Sequence, residues 1–234
     1  MALPEVVSRE QWLQVRLRLL AQEKELTRRR DVLNADRRRL PMVRVTKDYV
    51  FNGPDGSVTL AELFGDRMQL VVQHIMFGPD RDSACPTCTQ FLNELSRPVL
   101  DRLRECQTAY VLVSRAPLAK LQACQASHSW SLPWYSSYGS EFNYDFRVTL
   151  DKEAGQLTYN YRPEPGLLEG RQTTEMPGAS CFLRDGGEVF HTYSAYARGL
   201  DHIDLPYAFL DLTALGRQEP WEEPKDRIPS PGGP

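Results

Sequence analysis

Two runs of apolar, β-branched residues constrain the fold most. Gln69-Leu-Val-Val-Gln-His-Ile-Met-Phe77 is nearly continuous, and Ala109-Tyr-Val-Leu-Val-Ser114 has the same character. Strands buried on both faces read this way, and such strands belong to parallel sheets. Between them Phe91, Leu92, Leu95, Val99 and Leu103 recur at helical spacing. One helix is expected over 86–106, kinked at Pro98, whose ring removes a backbone donor. Strand, helix and buried strand imply a parallel pair joined by a right-handed crossover.

The flanks extend this unit. Tyr49 to Phe51, the Gly53-Pro54-Asp55-Gly56 turn and Val58 to Leu60 predict a β-hairpin, with a short helical turn over 61–64. A second helix is expected over 118–127. Then comes a long aromatic loop with Trp130, Trp134, Tyr135, Tyr138, Phe142, Tyr144 and Phe146. Residues 151–170 carry little core signal and read as an insertion, so loop and insertion together span about 130–175. Ala179 to Leu183, the Arg184-Asp185-Gly186-Gly187 turn and Glu188 to Tyr193 predict a second hairpin, with a last helix over 203–212. Hairpin, strand, helix, strand, helix, hairpin and helix is the order of a thioredoxin-like α/β fold, a three-layer α/β/α sandwich.

Ahead of this domain a long helix is expected from Ser8, a candidate N-cap with Gln11 as capping-box partner, to about Arg39, ended by Pro41. Trp12, Leu19, Leu26, Leu33 and Leu40 form one narrow apolar stripe. The second apolar slot of each heptad is filled by Gln22 and Arg29, which argues against a full coiled coil. The stripe fits packing on its own domain or pairing with a twin subunit in a homodimer. Arg28 to Arg30 and Arg37 to Arg39 are diluted by Glu23, Glu25, Asp31 and Asp36, so they read as a solvated helix face rather than a nucleic-acid patch. The domains are therefore 1–41 (basic amphipathic helix), 42–215 (thioredoxin-like domain) and 216–234, a Pro/Gly-rich tail expected to be disordered.

A formal charge of -3 gives no global attraction to nucleic acid or acidic membranes. No apolar run approaches the roughly 18 residues that a membrane helix needs. The first ten residues include Glu5, Arg9 and Glu10 and lack the apolar core of a secretory signal. With no Asn-x-Ser/Thr acceptor, this suggests the cytoplasm, where thiols stay reduced. Five cysteines, an odd number, do not suggest a disulfide-stapled fold. Cys106, Cys124 and Cys181 are expected to be buried, apolar thiols.

Cys85-Pro86-Thr87-Cys88 needs its own explanation. It follows a buried strand and opens a helix. A sulfur there faces unpaired N–H groups and the positive end of the helix dipole, which favours the thiolate. Pro86 suits the first helical turn. Cys85 is the candidate nucleophile, and Cys88, one turn inward, the candidate resolving thiol. A structural zinc site would need two further ligands, and no second C-x-x-C is present. No metal or cofactor is called for. A pair of purely structural thiols stays open.

Three other residues are candidates. Thioredoxin folds set a cis-proline opposite the cysteines, and Pro177, just before the Ala179 strand, is the candidate; an ordinary trans turn in Met176-Pro177-Gly178 fits as well. Arg115 ends the second buried strand, where open α/β sheets hold their ligands. It could bind a substrate carboxylate, stabilise the Cys85 thiolate or form a surface ion pair. His74 and His191 read as hydrogen-bonded sheet residues.

The stretches from Leu3 to Val45, MFGPDRDSACPTC, VSRAPLAKL, PWYSSYGSEFNYDF and FHTYSAYARGLD resemble the thioredoxin-like family grouped as domain of unknown function 899. The resemblance implies the thioredoxin-like fold and agrees with the Cys85/Cys88 reading, but it supplies no reaction. Arg81 stands where the family commonly has an aromatic residue, and Ala84 where it commonly has Gly. A peroxiredoxin signature would place Pro and Thr or Ser at Gly78 and Asp82, and an acid near the sulfur opposes peroxide chemistry. The leading reading is a thiol–disulfide oxidoreductase acting on a protein or small-molecule disulfide. The alternatives are a non-catalytic interaction module docking through its N-terminal helix, and a peroxidase.

Overall fold

In a computed structural model, residues 4–203 and Leu212 are described. The tail over 216–234 lies outside these residues, as does the expected last helix from residue 204 to 211. Pro41–Leu200 forms one compact unit, and Met1–Leu40 belongs to another. Helix α1 (Arg9–Arg37) begins at the expected capping box: Gln11 N–H donates to the Ser8 hydroxyl at 3.2 Å, and the Gln11 side chain accepts from Ser8 N–H at 3.0 Å. Two N-terminal donors are satisfied reciprocally in this way.

In the larger unit, an eight-stranded sheet has the order β1 (Val43–Arg44), β12 (Glu188–Tyr196), β11 (Gly178–Asp185), β4 (Gln69–His74), β5 (Thr108–Ser114), β6 (Trp134–Ser136), β2 (Val50–Gly53) and β3 (Gly56–Thr59). Strands β4 and β5 are parallel from Gln69↔Thr108 to His74↔Val113, and β11 runs antiparallel to β4 from Leu183↔Gln69 to Gly178↔His74. A parallel β–α–β unit closed by an antiparallel hairpin is the thioredoxin-like α/β fold.

The two buried runs alternate between faces. Leu70, Val72, Val111 and Val113 join Phe51, Phe64, Phe142, Phe146 and Phe182 in one core. Leu112 and Ile75 join Phe77, Leu92, Leu121 and Trp134 in the other. The second core is roofed by α2 (Pro86–Glu94) and α4 (Leu118–His128). The first is closed by the 3-10 turn Glu62–Phe64 and the four-residue α5 (Phe142–Asp145). Phe142 is its hub, edge-on to Tyr49 and Phe51 at 5.1 and 4.8 Å and stacked on His74 at 5.6 Å. The aromatic loop thus forms a third layer thinner than an α/β/α sandwich with full helices.

Three expectations change. The helix over 86–106 is two helices, α2 and α3 (Arg97–Glu105), separated at Leu95 and Ser96. Pro98 sits in the first turn of the second, where its missing N–H is harmless, so the chain restarts the helix instead of kinking it. Strand β6 arises inside the aromatic loop and pairs with β5 at Leu112 to Ser114; three residues are too few for a periodic signal. The insertion has a core of its own. Strands β7 (Thr149–Asp151) and β10 (Thr173–Glu175) pair, β8 (Thr158–Tyr159) pairs with β9 (Arg162–Pro163), and Val148, Leu150, Tyr159, Leu168 and Tyr196 are buried together.

His74 and His191 join one chain of hydrogen bonds across three strands. His74 Nε2 meets Ser180 Oγ at 3.0 Å, Ser180 Oγ meets Ser194 Oγ at 2.9 Å, and Ser194 Oγ meets His191 Nε2 at 2.8 Å. Burial holds His74 neutral, lowering its pKa to about 3. Below the ordinary histidine pKa the unfolded chain takes up a proton that the folded one refuses. Stability therefore falls as pH drops from about 6.5 towards 3, by about 1.4 kcal/mol per pH unit from this residue. Urea unfolding at stepped pH is expected to show that slope, and His74→Gln to flatten it. Phe142→Ala is expected to cost about 3–5 kcal/mol, read from the urea midpoint.

Candidate active site around Cys85

The C-terminal end of β4 places the reactive turn. Cys85 N–H donates to the Met76 carbonyl at 3.0 Å, and the Met76 backbone N–H hydrogen-bonds the Cys88 sulfur. One residue, two past the end of β4, brackets both cysteines. Cys85 is the N-cap of α2, with extended backbone (φ -58°, ψ 140°), and Pro86 is in the first turn. Cys85 is half-buried and Cys88 buried.

The two thiols are driven apart in acidity. The Cys88 thiol donates to Cys85, and the N–H groups of Thr87 and Cys88 with the Thr87 side chain add to it, so the Cys85 pKa falls to about 5 despite partial burial. Cys88 is pushed far up by that same bond, by burial and by the Cys85 charge. A partly exposed thiolate beside a protonated, buried thiol results, and the pair titrates as one coupled unit.

The loop before Cys85 is tethered to α4. Lys120 Nζ donates to the carbonyls of Pro79 and Arg81, at 3.0 and 2.6 Å, and pairs with Asp82 at 3.2 Å. The Asp82 side chain is fully exposed. Arg81 acts on the pair electrostatically, slightly favouring the Cys88 thiolate.

Pro177 lies at the same end of the sheet. Gly178 pairs with His74, so continuing that register brings 176–177 alongside 75–76. The Pro177 carbonyl accepts from the Tyr159 hydroxyl at 2.8 Å, and that hydroxyl accepts from Ala197 N–H at 2.9 Å. Burial raises the Tyr159 pKa to about 12, with negative charge at Cys88 a further cause, which places this phenol within electrostatic reach of the pair. A Cβ on Gly178 would lie 2.9 Å from Val148 Cγ1, so glycine permits this close approach.

Arg115 is committed elsewhere. It pairs with Glu175 at 3.0 Å, with both side chains largely buried, and stacks over Tyr144 at 4.7 Å. Glu175 also accepts from Thr149 at 2.8 Å and Asn143 at 3.3 Å; burial nevertheless raises its pKa. The surface ion pair expected for Arg115 is a buried one. Of the remaining cysteines, Cys124 is buried and Cys181 half-buried, with its thiol pKa raised by burial. Cys106 is exposed where α3 ends, against expectation.

Sequence reasoning missed Tyr159, Glu175 and the Met76 backbone. Tyr159 lies in the segment with no periodic pattern, and the others act through positions that only folding brings together. A cavity of about 730 Å³ opens at the other end of β5, lined by residues including Tyr110, Arg97 and Trp130; none of Cys85, Cys88, Arg115 and Pro177 lines it. No group of three or more metal-ligating side chains occurs among the described residues.

A family model described as "Bacterial protein of unknown function (DUF899)" matches residues 1–229. No curated protein matches the chain. Among solved structures, it is similar to peroxiredoxin Q of Xanthomonas campestris (15% identity, 75% of this chain and 98% of that one, TM-score 0.48). A PrxQ mutant of Xylella fastidiosa is similar at 11% identity, over 71% and 95% of the two chains, with TM-score 0.44. The peroxidoxin BcpB of Mycobacterium tuberculosis is similar at 15% identity, over 70% and 91%, with TM-score 0.42.

The iodoacetamide alkylation rate of Cys85 is expected to rise with a midpoint near pH 5 and stay flat above pH 7, followed by peptide mass. Cys88→Ala removes the largest stabilising contact and is expected to move that midpoint towards the ordinary thiol value of about 8.5.

Proposed function

We propose that this chain, which belongs to the DUF899 family, is a thiol–disulfide oxidoreductase working through Cys85 and Cys88. The observation that carries this reading is the opposed acidity of the two sulfurs at one helix N-terminus. Disulfide exchange needs an accessible thiolate to attack and a second thiol held in reserve.

The steps follow from that arrangement. The Cys85 thiolate attacks one sulfur of a substrate disulfide, and the other sulfur departs as a thiolate that takes a proton from water. Charge on Cys85 is thereby consumed, and with it the feature that holds the Cys88 proton most firmly. Cys88 loses its proton to water and attacks the Cys85 sulfur. The second substrate thiolate leaves, and a Cys85–Cys88 disulfide remains. Two electrons have passed to the substrate, and an external dithiol returns the pair to its reduced state. Pro177, whose carbonyl accepts from the Tyr159 hydroxyl, lies at the same end of the sheet as the pair and shapes the cleft in this reading.

A peroxidase would use the same nucleophile. The groups that act most strongly on Cys85 are Cys88 and the Thr87–Cys88 turn. Nothing at the site favours peroxide over a disulfide. A non-catalytic module would have no use for a thiolate of depressed pKa.

Cys85→Ser is expected to reduce disulfide exchange to background, with hydroxyethyl disulfide as substrate and dithiothreitol as reductant. Cys88→Ser is expected to complete the first attack only, accumulating a mixed disulfide on Cys85 visible by mass. Equal loss in both variants with no adduct would overturn the assignment.

A further inference from the structure

Strand β5 lacks a neighbouring strand along part of one edge. It pairs with β4 from Thr108 to Val113, whereas β6 covers only Leu112 to Ser114. Leu112 N–H donates to the Pro133 carbonyl at 2.8 Å, and the Val113 carbonyl accepts from Ile75 N–H at 2.9 Å. Even-numbered residues of β5 thus turn their main-chain groups towards β6, and odd-numbered ones towards β4. The N–H and carbonyl of Thr108 and Tyr110 therefore point to the side that β6 does not reach. Two residues back from the Leu112↔Trp134 pair, the register calls on residue 133 to donate to the Tyr110 carbonyl, and Pro133 has no N–H. The chain leaves the sheet there, and Leu132 N–H is taken by the Gln125 side chain at 3.1 Å.

The cavity of about 730 Å³ opens at this place, and Thr108 and Tyr110 line it. Leu63 and Phe64 of the first core reach it, as do Trp130 and Leu132, which pack on the second. Pro54, in the turn of the β2–β3 hairpin, lines it too, so this is a notch within the strand order and not an outer edge. Two features say what fits. Donors and acceptors recur along the open edge at the repeat of a peptide, so the matching partner is another extended main chain. The open stretch from Thr108 to Val111 is about 13 Å long at about 3.3 Å per residue, room for about four residues. Of the three arginines lining the notch, Arg67 pairs with Asp66 and Arg97 with Asp101, while Arg104 forms no ion pair among the described residues. The remaining acid of the lining, Glu62, accepts from the Thr59 N–H and hydroxyl at 2.6 and 2.8 Å. A carboxylate brought by the ligand would supply the partner that Arg104 lacks.

From this notch we infer that the chain binds a short, extended acidic segment of another protein, added as a strand on the open edge of β5. The site is separate from the cysteine turn and does not depend on the oxidoreductase reading.

The test follows amide hydrogen exchange at Thr108 and Tyr110 in the full-length protein by NMR, with Ala109 and Val111, which face β4, as internal references. The probe is an acetylated, amidated pentapeptide pool with Glu at its centre and Val or Thr elsewhere. Saturation with this pool is expected to slow exchange at Thr108 and Tyr110 about tenfold and to leave the references unchanged. A pool with central Lys is expected to bind more weakly, and Arg104→Gln to remove the difference between the two pools. Unchanged exchange with the Glu pool would overturn the inference, as would equal slowing by the same pool N-methylated throughout, which cannot donate to a strand. Slowing that needs no peptide and grows with protein concentration would overturn it as well, by placing a second copy of the chain in the notch.

Discussion

Everything in the larger unit depends on β4 being paired on both sides. Its parallel partner β5 and antiparallel partner β11 hold it at six residue positions each. A strand fixed on both edges has no freedom to slip, since a one-residue shift would exchange the two faces. Leu70 and Val72 would leave the aromatic core, and the chain beyond His74 would start from a different place. Because Met76 follows directly, the register of β4 also sets where both cysteine sulfurs meet the backbone.

The chemistry of the pair is a consequence of that placement. Main-chain N–H groups at the start of α2 have no partners in their own helix, and the positive end they make favours charge on a sulfur at the N-cap. Cys88 lies one turn further in, against the second core, where burial disfavours charge. The same short segment therefore offers one solvent-reaching site that stabilises a thiolate and one enclosed site that resists it. Exchange chemistry needs this difference more than it needs either pKa alone. Attack and resolution are separate steps, and the second thiol must hold its proton through the first.

The insertion and the Arg115–Glu175 pair frame this centre. A carboxylate as enclosed as Glu175 is costly to charge, and its three donors offset that cost. Two of them, Thr149 and Asn143, come from the segment leading into the insertion, so the ion pair is tied to the β7–β10 ladder. Tyr159 is held beside Pro177 by its two hydrogen bonds. One edge of β10, the Glu175 carboxylate and the Pro177 carbonyl are thus all engaged within the larger unit.

The sequence alone determined the elements whose signal is local. The buried runs over 69–77 and 109–114, the two hairpins, the Ser8 capping box and the cysteine turn are each written in consecutive residues, through periodicity, turn chemistry or motif spacing. The tertiary structure decided what depends on distant residues meeting. Residues 148–176 carry no pattern of their own because their order comes from partners such as Tyr196, Asn143 and Arg115. Whether Pro98 kinks one helix or starts another depends on what the helix packs against, as does the exposure of Cys106. Arg115 illustrates the limit: its position at the end of β5 was legible, but a charge finds its partner through space. Glu175 reaches it only because β10 is folded back beside the sheet.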